Sequence, residues 1–222
     1  MKLTDKEHLQ LLMADAAYQN ADARATLKRK GWKRDARFGN AETSVFVHGR
    51  HVVIAFRGTN LTKKDIKADV ATDVKAVATG NAKQDRRFLE AQQVVKQVRK
   101  ALPGVHIQVT GHSLGGTIAQ YIGRLFCFPG TSFNPGSSPV GNITKVMKEA
   151  ARIGRKLRKH GSCTKVKIIR IATKGKRLAT DPISINARDN FPGSKDKQFE
   201  AETSIKTLGF AHHGLGNFYS RR

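Results

Sequence analysis

Hydrophobic positions along this 222-residue chain follow two rhythms, and the switches between them mark out the elements. Thr4, with Glu7 three residues on, reads as the N-cap of a helix that turns Leu9, Leu12, Met13 and Ala16 to one face and ends near the polar stretch Asn20 to Asp22. A basic segment follows from Lys28 to Arg37 around Trp32. Ser44 to Val47 and Arg50 to Phe56 then flank His48-Gly49 like the arms of a hairpin. Val52 to Phe56 is apolar without a break, the mark of a strand buried on both faces. Residues 60–86 are polar and only weakly helical in pattern.

Helical spacing returns at Phe88, Ala91, Val95, Val98 and Leu102, and Pro103-Gly104 stops it. Val105 to Thr110 reads as a strand, Gly111 to Gly115 as a sharp turn, and Ile118, Ala119, Tyr121, Ile122 and Leu125 as the apolar side of another helix. A short strand at Thr131 to Phe133 and a loop at Asn134 to Ser138 lead to a helix striped by Val146, Ala150, Ile153 and Leu157. Val166 to Ile171 is a further strand, and Lys174 to Arg222 mixes loops with a Gly-rich, His-containing end. Helices alternating with apolar strands predict an α/β fold, a mainly parallel sheet with helices on both faces, in one compact domain over 1–222.

The order strand, sharp turn, helix gives Gly111-His112-Ser113-Leu114-Gly115 a chemical meaning. Serine is a weak nucleophile at neutral pH, so ester hydrolysis through it needs a His to take its proton, an acid to orient that His, and N–H donors for the oxyanion. Small residues at 111 and 115 let strand and helix approach closely while Ser113 is held in a strained turn. The loop Phe56-Arg57-Gly58-Thr59, at the carboxyl end of the buried strand, stands where an oxyanion donor belongs.

Val53-Ile54-Ala55-Phe56-Arg57-Gly58-Thr59 together with Thr110-Gly111-His112-Ser113-Leu114-Gly115-Gly116 resembles the class 3 lipase family, relatives of the fungal triacylglycerol lipases with an α/β-hydrolase fold. Ala16-Ala17-Tyr18, Ser132-Phe133-Asn134-Pro135-Gly136, Asp181-Pro182-Ile183-Ser184 and His213-Gly214-Leu215-Gly216-Asn217-Phe218 resemble further segments of that family, so the likeness spans most of the chain. It implies a serine carboxylic ester hydrolase acting on lipid or similar acyl esters through an acyl-enzyme. Ser113 would be the nucleophile, His213 the base and Asp181 its partner, with Thr59 and Leu114 binding the oxyanion. Asp189 is the alternative acid and His212 the alternative base. Such chemistry needs no metal or organic cofactor. Where relatives carry a greasy lid, Leu61 to Val70 is mostly polar and charged, which points to soluble esters or to binding through charge.

Charge enlarges the picture. Lys and Arg number 41 against 17 Asp and Glu, a net charge of +24. Thirteen of those bases against one acid, Glu149, fall between Lys145 and Arg177. Lys148, Arg152, Arg155 and Lys159 lie opposite the apolar stripe and form a cationic face suited to an anionic membrane or to nucleic acid. A second function class is therefore open: a basic structural or packaging protein on a lipase-like fold, binding nucleic acid or an anionic surface. Charge in Met1 to Glu7 and the lack of a long apolar run predict a soluble protein without signal peptide or membrane span, intracellular or particle-associated. Cys127 and Cys163, outside any C-x-x-C pair, are expected as free thiols.

Overall fold

The computed structural model describes residues 2–58, 82–135, 166–173, 196–201 and 219. Helix α1 (Asp5–Ala16) starts with the expected capping box. Thr4 Oγ1 accepts from the Glu7 N–H at 3.3 Å, and the Glu7 carboxylate accepts from the Thr4 N–H at 2.8 Å. The helix stops at Ala16, earlier than the polar stretch suggested, because Asn20 begins a new one. Its side-chain oxygen accepts from the N–H groups of Asp22 (3.0 Å) and Ala23 (3.2 Å) and caps α2 (Ala21–Arg29). The basic segment is thus not one piece. Lys28 and Arg29 close α2, a turn through Gly31 follows, and β1 (Lys33–Gly39) is an edge strand whose residues are mostly exposed.

The hairpin forms as β2 (Thr43–His48) and β3 (His51–Phe56), with its turn at Gly49-Arg50. After them come α3 (Ala82–Ala101), β4 (His106–His112), α4 (Leu114–Phe126), β5 (Gly130–Phe133), β6 (Val166–Thr173) and β7 (Asp196–Ala201). β7 adds a strand to the stretch from Lys174 to Arg222, which the sequence reads as loops with a Gly-rich, His-containing end. The helix expected over Val146 to Leu157 lies outside the described residues.

These strands make one seven-stranded sheet in chain order. β1, β2 and β3 pair antiparallel, and every pairing from β3 to β7 is parallel. The unbroken apolar run of β3 follows from its place between two helix layers. Val52, Ile54 and Phe56 pack with Val95, Val98, Ile118 and Ile122 of α3 and α4, whereas Val53 and Ala55 pack with Leu12, Met13 and Leu27 of α1 and α2. Leu11 and Ala14 extend the α1 contact to Phe133 on β5 and Ile169 on β6. The architecture is the α/β-hydrolase type expected: helices on both faces of a mainly parallel sheet. Among the described residues no helix is long and apolar enough to cross a membrane.

Two substitutions separate the local and the packing terms. Thr4→Ala, which removes one capping acceptor, is expected to cost about 1 kcal/mol. Ile54→Ala, at a fully buried position, is expected to cost about 3 kcal/mol. Urea unfolding checks both, the midpoint moving while the slope stays constant.

Candidate active site

Strand register assembles the site. Phe56 on β3 pairs with Gly111 on β4, so Gly58, two residues beyond, comes beside Ser113, two residues beyond Gly111. His112 pairs with Phe133 on β5, and the Ser113 N–H donates to the Phe133 carbonyl at 3.2 Å. Ser113 stands between β4 and α4 with φ 56° and ψ −130°, a conformation that costs a non-glycine residue on the order of 1–3 kcal/mol. Its carbonyl accepts the first helical bond, from the Thr117 N–H at 3.1 Å, while its side chain makes no capping bond to the helix. This is the strand–turn–helix geometry of a nucleophile elbow.

The tightness expected of the flanking glycines is present. A methyl group at Gly115 would collide with the Phe56 carbonyl oxygen, and one at Gly111 would lie 2.8 Å from that oxygen. Helix α4 can press its N-terminus onto the ends of β3 and β4 only because both side chains are absent. Gly58 is equally confined: a methyl there would sit 2.9 Å from Ser113 Cβ and 2.7 Å from the His112 carbonyl oxygen. Deeper in the elbow, Ser132 Oγ donates to the Gly116 carbonyl at 3.0 Å and accepts from Gln120 Nε2 at 3.1 Å, fastening α4 to β5.

A polar cluster surrounds the loop after β3. The Gly58 N–H donates to Tyr18 Oη at 3.0 Å, and Tyr18 Oη lies 2.9 Å from His112 Nδ1. That hydroxyl accepts from the Gly58 N–H and shares a second hydrogen bond with the imidazole, whose direction follows the His112 tautomer. Burial pushes the Tyr18 hydroxyl well above the ordinary tyrosine range, against smaller opposing effects of the Gly58 N–H and of Arg87 and Arg57. It therefore remains a donor at any working pH. On the other side, Arg87 Nη2 donates to the Arg57 carbonyl oxygen. Glu42 accepts from the Arg57 guanidinium at 3.3 Å and pairs with Arg87 Nε at 2.6 Å, while its carbonyl takes the Arg57 N–H at 2.8 Å.

Of the residues the sequence singled out, Ser113 and Leu114 stand in the elbow, Leu114 as the first residue of α4. Thr59 follows directly on Gly58 but lies outside the described residues, as do Asp181, Asp189, His212 and His213. The cationic quartet Lys148, Arg152, Arg155 and Lys159 is outside them as well. The expectation of free thiols is corrected at Cys127, which is disulfide-bonded. Cys163, the chain's one other cysteine, lies outside the described residues. Tyr18, Glu42 and Arg87 escaped the sequence reading as parts of the site. Tyr18 carried a signal only as the last residue of the Ala16-Ala17-Tyr18 segment.

Fold and turn together define an α/β-hydrolase-type domain with a strand–turn–helix at Ser113. The chain belongs to the phospholipase-like family of the Tle-like phospholipase domain, which matches residues 12–159. Among curated proteins it is 42% identical over 55 residues to ATG15 of Saccharomyces cerevisiae, covering 24% of this chain and 11% of that protein. It is 32% identical over 109 residues to the GDSL esterase/lipase At4g10955 of Arabidopsis thaliana, covering 46% of this chain and 31% of that protein. The chain thus spans less than a third of the length of either relative. Among solved structures it is similar to the lipase from Rhizopus microsporus var. chinensis, at 16% identity over 84% of this chain and 70% of that one, with a TM-score of 0.44.

The glycine contacts give a direct test. Gly115→Ala places a methyl against backbone that cannot yield, so a loss of about 3 kcal/mol is expected in chemical denaturation.

Proposed function

We propose that this chain hydrolyses carboxylic ester bonds of lipids, with phospholipids as the first substrate class to test, by a serine mechanism centred on Ser113. The observation that carries the reading is the strained Ser113 turn pressed against Gly58 at the end of the parallel strands. Ser113 Oγ attacks the ester carbonyl while His213 takes its proton, and Asp181 holds the imidazole in the right tautomer. The N–H groups of Leu114 and Thr59 receive the negative charge that develops on the carbonyl oxygen. Collapse of the tetrahedral intermediate, with His213 returning the proton to the leaving alcohol, leaves an acyl-Ser113 ester. Water activated by the same His then releases the acid. No metal or organic cofactor enters these steps. Sequence order, Ser then Asp then His, supports the assignment, and Asp189 and His212 are the alternatives against which it is tested.

Ser113→Ala is expected to lower kcat against a chromogenic ester by about 10⁵-fold without moving the melting temperature. Full activity in that variant would exclude the mechanism. Asp181→Asn and His213→Ala are expected to lose most of the activity, whereas Asp189→Asn and His212→Ala retain it.

A net charge of +24 favours a second element, delivery to an anionic surface. Lys148, Arg152, Arg155 and Lys159 are proposed to contribute to it. Sedimentation with vesicles of anionic phospholipid is expected to be strong at low salt and weak at high salt, and to fall on replacing the four residues by Ala. Steeply salt-dependent DNA binding without hydrolysis of any ester would support the packaging protein instead.

A further inference from the structure

The peptide unit joining Arg57 to Gly58 has both of its polar groups occupied. Its carbonyl accepts from Arg87 Nη2 on α3, and its N–H donates to Tyr18 Oη just beyond α1. The same Tyr18 hydroxyl reaches His112 Nδ1, one residue before the nucleophile. One hydroxyl group therefore ties together two segments that are adjacent in the sheet but 54 residues apart in the chain, the loop after β3 and the elbow after β4.

The geometry points to Tyr18 as a positioning residue for oxyanion stabilisation, with Arg87 as the second grip on the same peptide. This inference rests on Ser113 being the nucleophile. Engaging the Gly58 N–H removes it from the donors free to face a substrate, and leaves the role to the next N–H along, that of Thr59. Fixing the 57–58 peptide plane at both ends holds Gly58 in place beside Ser113. The bond to His112 sets the loop's distance from the backbone that carries Ser113 and the Leu114 N–H. Oxyanion donors act through preorganisation, so an error of a few tenths of an ångström costs rate in the transition state and leaves ground-state binding intact. Tyr18 acts here through Gly58 and His112.

Tyr18→Phe keeps the ring and removes both hydrogen bonds. Tyr121→Phe, which removes the 2.9 Å bond between Tyr121 and Gln92 in the core, is the structural control. For Tyr18→Phe, kcat is expected to fall about 30-fold with KM within twofold of wild type, and the rate of covalent labelling by a fluorophosphonate to fall by a similar factor. For Tyr121→Phe both rates stay within twofold. Should Tyr18→Phe fold poorly, Arg87→Gln, on a different element, is expected to show the same loss confined to kcat. Labelling and kcat within twofold of wild type in a folded Tyr18→Phe, or in Arg87→Gln where Tyr18→Phe does not fold, overturn the positioning role and leave the esterase reading standing. A loss shared equally with Tyr121→Phe, or one that appears in KM, overturns it too. Wild-type protein that is not labelled at all overturns the esterase reading and the Tyr18 role with it.

Discussion

The approach of Gly115 to the carbonyl oxygen of Phe56 is the constraint on which the site depends. A parallel strand ends with its carbonyls projecting, and a following helix normally stands off by the thickness of a side chain. Here the missing side chains at 111 and 115 let α4 sit directly on the ends of β3 and β4. Ser113 then turns through a positive φ to join strand to helix. That local strain is outweighed by what surrounds it: Ile118 and Ile122 of α4 are fully buried against β3 and α3, and Ser132 latches the helix to β5. Packing remote from Ser113 holds Ser113 in place.

Among the described residues around this turn, the ion pairs and the Tyr18 hydrogen bonds gather on one loop. Glu42 from β2's approach, Arg87 from α3 and Tyr18 from the end of α1 converge on Arg57 and Gly58, so elements from both faces of the sheet meet there. In a partly buried setting such contacts fix geometry more than they add stability, since each charge gives up hydration to be held. A loop held in this way suits a site that must offer N–H groups in advance of the reaction.

The sequence was most legible where local and tertiary demands coincide. The Thr4 and Glu7 box, the apolar run of β3, the strand–turn–helix around Ser113 and the stripe of α3 each follow from a short pattern that burial enforces. It was least legible at the sheet edges. β1 carries Lys33, Arg34 and Arg37 on exposed positions, and β7 carries Asp196, Lys197 and Glu200, so neither has a hydrophobic rhythm to read. Tyr18 and His112 are 94 residues apart, and nothing in their spacing announces a hydrogen bond. The state of Cys127 depends on where the fold brings a partner, which two isolated cysteines do not reveal. Membership of the Tle-like phospholipase family agrees with the lipase resemblance carried by the β3 and elbow motifs.

The central claim is that Ser113 is an activated nucleophile, and mapping a covalent adduct tests it most directly. In the tryptic peptide Ala101–Arg124, Ser113 is the sole serine. After reaction with a fluorophosphonate, mass spectrometry is expected to find one phosphonyl group on that peptide, localised to Ser113. Stoichiometric modification at another residue, or an unmodified chain that is folded and has been presented with both detergent micelles and anionic vesicles, would contradict the account.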